Sequence, residues 1–225
     1  MTPQVRAFAR GALWALPAWA ALLFLGTLTH QPDAGTDFAA FAAYVTTSVF
    51  LWSHLIASIL GAAIGSVGVV GLLLYLQDSK VAGKAITGMV TTVVGNTLLT
   101  AVFGVAAFAQ PAMGRLYLAG QQNAADFYSQ TYGLSAFGTV AMALLLFVVG
   151  GVFVGLAIVA SGRLPRWAGW VYAVSAVGFA VTTFLFPVGQ SLFSALLFVA
   201  TVAVAWRAGR AAQRQSVPVG ASLEP

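Results

Sequence analysis

The chain contains no cysteine. Disulfide frameworks, thiolate zinc sites, iron–sulfur clusters, c-type haem attachment and thiol nucleophiles are therefore excluded. Charge is almost as scarce: 7% of the 225 residues are Asp, Glu, Lys or Arg, whereas a soluble domain carries about 25%. With 60% apolar residues and a mean hydropathy of +0.92, most of the surface needs lipid as its solvent. The formal charge of +5 comes from ten cations dispersed at the ends of apolar runs, which excludes the clustered basic patch of a nucleic-acid binder.

Inside the apolar runs there is no Asp, Glu, Lys or Arg. Pumps, voltage sensors and ion-coupled carriers place such groups near the bilayer midplane, so the pattern weighs against all three. No intramembrane Lys is present to form a retinal Schiff base. No nucleotide-binding or HExxH signature, internal repeat or pair of broken spans is present either.

What is there reads as an all-α, polytopic transmembrane helical bundle. Apolar stretches long enough to span occur at 11–29, 54–76, 85–109, 136–161, 167–186 and 188–206, and together make one domain over 1–206. Residues 38–76 hold no charge and admit one span or two. With one span there, the amino-terminal side of the membrane holds nine of the ten cations: Arg6, Arg10, Lys80, Lys84, Arg163, Arg166, Arg207, Arg210 and Arg214, with only Arg115 opposite. A second span would move seven cations across, so the positive-inside rule selects six spans with both termini cytoplasmic, in a cytoplasmic membrane of bacterial type. Run 11–29 exceeds a secretory h-region and reads as a retained anchor.

Trp14, Tyr75, Trp167, Trp170, Tyr172 and Trp206 fall at the cytoplasmic ends, and Tyr44, Trp52, Tyr117, Tyr128 and Tyr132 at the exterior ends, as aromatic belts require. Residues 207–225, basic and containing two prolines, read as a disordered cytoplasmic tail.

Two exterior segments, about 30–50 and 110–135, are expected to cap the outer side. In the first, Asp37 is an acceptable helix cap, and Phe38, Phe41, Val45, Val49 and Trp52 follow helical spacing. This gives either a separate surface helix bending near Thr46–Ser48 or one long tilted span. At 1.5 Å per residue, His54 lies roughly 35 Å from Gln77 and His30 roughly 30 Å from Arg10. Both histidines thus share the outer boundary with Asp33, Asp37, Asp126 and Arg115. His30 and His54 are the candidate metal ligands. Haem b or a divalent metal is the cofactor chemistry left open, with no cofactor predicted.

Within the spans, His54, Ser58, Gly61, Gly65 and Gly68 follow one helix face, and Thr92, Asn96, Thr100 and Gly104 another. The functional expectation is an outward-facing cavity for a neutral lipophilic small molecule, bound or translocated. Its candidate ligand-binding residues are Trp52, His54, Ser58, Thr92, Asn96 and Thr100 with the exterior Asp37, Arg115, Asp126 and Tyr128. Two alternatives stand beside it. One is a non-catalytic scaffold, meeting a partner or a second copy through its Gly61/Gly65 or Gly151/Gly155 faces. The other is an outer-interface enzyme or haem/metal protein built on the histidines and exterior carboxylates; no catalytic residue is assigned, and a non-enzymatic role is preferred.

Overall fold

The computed structural model describes residues 1–183 and 185–215. It is all-helical, with no strand among the described residues. The helices are α1 (Pro3–Ala12), α2 (Ala15–Gly26), α3 (Phe38–Val45), α4 (Ser48–Trp52), a π-helix (Ser53–Leu60), α5 (Gly61–Leu76), α6 (Ala82–Leu118), α7 (Ala124–Thr131), α8 (Leu134–Ala160), α9 (Arg166–Thr182) and α10 (Pro187–Gln215). Five helical stretches are long and apolar enough to cross a membrane: Pro3–Gly26, Ser48–Leu76, Ala82–Leu118, Leu134–Ala160 and Val188–Arg210. They mark a membrane protein. α9 has 17 residues and is shorter than these.

The long helices close into a ring in chain order: α2 packs on α5, α5 on α6, α6 on α8, α8 on α9, α9 on α10 and α10 back on α2. Small residues set the approach. Gly71 lies against Ala12, Gly68 against Leu16, Gly65 against Trp19 and Gly61 against Leu22, so α5 runs antiparallel to α2 with its glycine stripe turned inward. A Cβ on Gly65 would stand 2.9 Å from the Trp19 ring, and one on Gly68 2.7 Å from Leu16. Gly151 and Gly155 meet Ala176, Ala173 and Gly169 of α9 in the same way. Close backbone approach of this kind replaces the hydrophobic drive that helices lack in lipid. Both the Gly61/Gly65 and the Gly151/Gly155 faces meet neighbours within the chain.

Antiparallel neighbours bring the chain's amino terminus, the 77–81 and 161–165 connections and the end of α10 together at one end of the ring. Arg163 Nη1 donates to Tyr75 O (3.4 Å) there. This basic end holds Arg6, Arg10, Lys80, Lys84, Arg163, Arg166, Arg207 and Arg210. The opposite end carries α3 and α7 and is called the cap end.

Several boundaries differ from expectation. The first helical stretch begins at Pro3 rather than at 11, because Thr2 caps it and Pro3 fits the first turn. α6 runs through Pro111 to Leu118, so the exterior segment expected from 110 starts as helix. α10 continues past 206 to Gln215, correcting a tail from 207; Ala-rich sequence sustains the helix, and Arg210 stacks over Trp206 at 5.2 Å. The rest of the expected tail, 216–225, lies outside the described residues. Tyr172, expected at an interface, is buried in the core.

At the cap end the chain breaks at Thr46–Thr47, which makes α3 a separate helix rather than part of a long span. Asp37 caps it, accepting from the Ala40 N–H at 2.9 Å. Phe41 and Val45 are buried, but Val49 and Trp52 beyond the break are exposed, so the five-residue helical face ends with the helix.

Candidate functional site

An aromatic layer separates the site from the packed half of the ring. Trp19 is held against Gly65, and its indole meets Phe147 edge-on with centroids 6.2 Å apart; Phe147 in turn meets Phe179 at 5.7 Å. Below these rings, towards the basic end, the ring interior is packed solid by Thr92, Gly151, Tyr172, Ala176 and Leu197. Above them it opens into a cavity of about 230 Å³. Its walls come from the end of α2 (Leu22, Leu23, Gly26), the π-helix (Ser53, His54, Ala57, Ser58), Phe103 of α6, Phe179 of α9 and Gln190 of α10. Thr27, Thr29, Gln31 and Tyr44 rim it at the cap end.

The π-helix makes the room. Gly61 N–H donates to Ile56 O, five residues back, instead of four. The wider turn carries one extra residue and displaces the local wall; such segments are frequently found at functional sites. His54 sits in its first turn, with Nδ1 3.0 Å from Phe50 O and its ring 4.1 Å from that of Phe50 and 6.0 Å from that of Phe103. A carbonyl only accepts, so Nδ1 carries the hydrogen; in the neutral ring Nε2 is left as an acceptor. Among the described residues Nε2 has no hydrogen-bond partner, and His54 lines the cavity.

Of the expected site residues, only His54 and Ser58 line this cavity. Asn96 is buried in the α5–α6 contact, where its amide donates to Ala62 O (3.0 Å) and Ser66 Oγ (3.1 Å). Thr92 Oγ1 is enclosed in the packed half, and Thr100 is half-buried outside the cavity lining. Trp52, Asp37, Arg115 and Asp126 are exposed outside it. His30 is exposed and does not join His54, and among the described residues no three His, Cys, Asp or Glu side chains converge as metal ligands would.

Tyr128 belongs to an aromatic cap instead of the cavity. Its ring lies 4.9 Å from Phe41, 5.8 Å from Phe38 and 4.7 Å from Tyr132, while Phe38 also meets Tyr117 at 4.9 Å. Burial, and secondarily the Asp33 carboxylate, raises the Tyr128 pKa. Burial pushes Tyr132 up to about 12, against the opposing pull of Gln110, whose Nε2 donates to its oxygen at 2.8 Å.

The polar residues that sequence reading missed are amides and a tyrosine. Gln110 is buried and bridges Gln31 (3.3 Å) to Tyr132, tying the 27–37 connection to α6 and α7. Gln190 donates to Thr183 Oγ1 (2.8 Å) across the turn between α9 and α10. An amide inside or beside an apolar run was the available signal for both, as it was for Asn96. Tyr44 reads from its position only as a belt aromatic at the exterior end. No protein-family model, curated protein or solved structure matches the chain.

Proposed function

We propose that this is a six-span cytoplasmic-membrane protein that binds a neutral, lipophilic small molecule in a cavity open to the exterior. The basic end is cytoplasmic by the positive-inside rule, with both termini inside. α9, at about 26 Å for its 17 residues, is the sixth crossing, near the lower length limit for a span.

The carrying observation is the cavity of about 230 Å³ above Trp19 and Phe147, whose lining mixes apolar walls with uncharged polar groups and includes no Asp, Glu, Lys or Arg. An uncharged lining suits an uncharged ligand, because an ion would enter a low-dielectric site without a counter-charge. The volume falls below the about 300–1,000 Å³ of drug-sized sites, which matches a head group with the first part of a tail. The packed half of the ring favours binding over passage in this conformation. The enzyme reading loses support because Asp37 and Asp126 do not line the cavity with His54; the scaffold reading loses it because both glycine faces are filled.

Native mass spectrometry of the protein released from mild detergent tests this reading. We expect a reproducible small-molecule adduct, one per chain, that is lost in Ser58→Phe, where the ring fills the cavity. No adduct, or the same adduct in folded Ser58→Phe, overturns it.

A further inference from the structure

Most hydrogens on the polar cavity wall are already engaged within the chain. Thr27 Oγ1 donates to Phe24 O (2.7 Å), Thr29 Oγ1 to Gly26 O (3.2 Å) and Ser53 Oγ to Phe50 O (2.9 Å). Each hydroxyl has one hydrogen, so these three present only lone pairs to a ligand. His54, in the cavity lining, has its Nδ1–H likewise held by Phe50 O, which leaves the Nε2 lone pair without a partner among the described residues. Ser58, one turn on in the π-helix, lines the cavity with a hydroxyl that meets no protein group among the described residues; Tyr44 adds a second such hydroxyl, and Gln31 and Gln190 each keep one amide hydrogen free.

A ligand head that fits must donate to Nε2 and can accept from Ser58. A ketone, aldehyde or ester only accepts, and leaves Nε2 unpaired at the cost of its desolvation. A phosphate or carboxylate meets no cation, and an ammonium no carboxylate. A hydroxyl does both. We propose that the cavity takes the hydroxyl head of a lipophilic alcohol or phenol, its O–H donating to His54 Nε2 and its oxygen accepting from Ser58. This inference rests on the cavity-binding reading and names its ligand class.

Photo-crosslinking in proteoliposomes tests it with three probes of one chain length, each carrying a tail diazirine: a primary alcohol, its methyl ether and the corresponding aldehyde. The alcohol is expected to label the 53–60 segment about tenfold more efficiently than the ether, the effect of one hydrogen bond to an otherwise unpaired acceptor. His54→Phe, which keeps an aromatic ring beside Phe50, should abolish that preference, and Ser58→Ala should reduce it. The ratio in the unmodified chain decides even if His54→Phe does not fold. Equal alcohol and ether labelling at 53–60, or strongest labelling by the aldehyde, overturns the hydroxyl assignment and leaves the cavity reading standing. Labelling confined to the apolar groove of about 610 Å³ along α8–α10, lined by Leu156, Val174 and Phe193, overturns both.

Discussion

The six helices of the ring pack differently in its two halves. Towards the basic end, glycine and alanine let them touch: Gly68 on Leu16, Gly71 on Ala12, Gly155 on Ala173. No usable space remains between Thr92, Tyr172 and Leu197. Towards the cap end the wall residues are His54, Phe103, Phe179 and Gln190, and the π-helix adds a residue to the turn. A cavity lies between these walls, although Gly178 on Phe193 and Gly189 on Thr182 still bring α9 and α10 together at that end. One sequence thus builds a closed half that supplies stability and an open half that supplies a site.

That division can be broken hardest at its boundary. Trp19→Ala removes the indole from the layer between the two halves and is expected to cost about 3–5 kcal/mol, the range for deleting a large buried aromatic. It should also deepen the cavity, which thermal unfolding in detergent and added reagent access from the cap end would register. A stable variant would mean that the layer is not under packing tension.

Within the closed half, Gly155→Leu meets α9 backbone and is expected to cost about 3 kcal/mol by overpacking, whereas Gly104→Ala, with nothing within 4 Å of its new methyl, should leave the melting temperature unchanged or slightly raised. Similar losses for both would remove the distinction between packed and open glycines. A smaller effect belongs to Asn96→Ala: its two bonds join α5 and α6 in the membrane, where such contacts are worth about 1 kcal/mol, and ligand labelling should persist. Lost labelling at unchanged stability would return Asn96 to the ligand site.

In the cap, Tyr132 has a folded-state pKa raised to about 12 from an ordinary 10. The protonated phenol is the form the fold favours, so its contribution to stability is complete below about pH 10 and declines as pH rises towards 12. Ultraviolet titration of the phenolates, with Gln110→Leu expected to move Tyr132 higher, sharpens the picture of a half-buried cap; titration near 10 would show the phenol to be solvated. The smallest perturbation gives the sharpest contrast. In a chain without cysteine, Ser58→Cys should react with a membrane-impermeant thiol reagent from the exterior and Thr92→Cys should not.

How much of this was legible depends on the range of the interaction. The stripe Gly61, Gly65, Gly68 reads directly from helical spacing, and it does face one neighbour throughout. The start of α3 is visible in Asp37. Asn96 stood out as polar but not as satisfied, because its partners Ala62 and Ser66 are about thirty residues away. His54 and Ser58 were legible as a pair; Tyr44, Phe103, Phe179 and Gln190 joined them only when the ring closed. The π-helix has no spacing signature in SHLIASIL.

By itself the sequence determined an all-helical membrane chain, its basic and cap ends and most of its helix positions, since hydropathy, capping and charge act within a few residues along the chain. Only the tertiary structure decided that the glycine faces are filled from within, that His30 stands apart from His54, and that a cavity lies above Trp19. Those outcomes depend on which helix lies opposite which, and that choice is made by complementary packing between residues far apart in the chain.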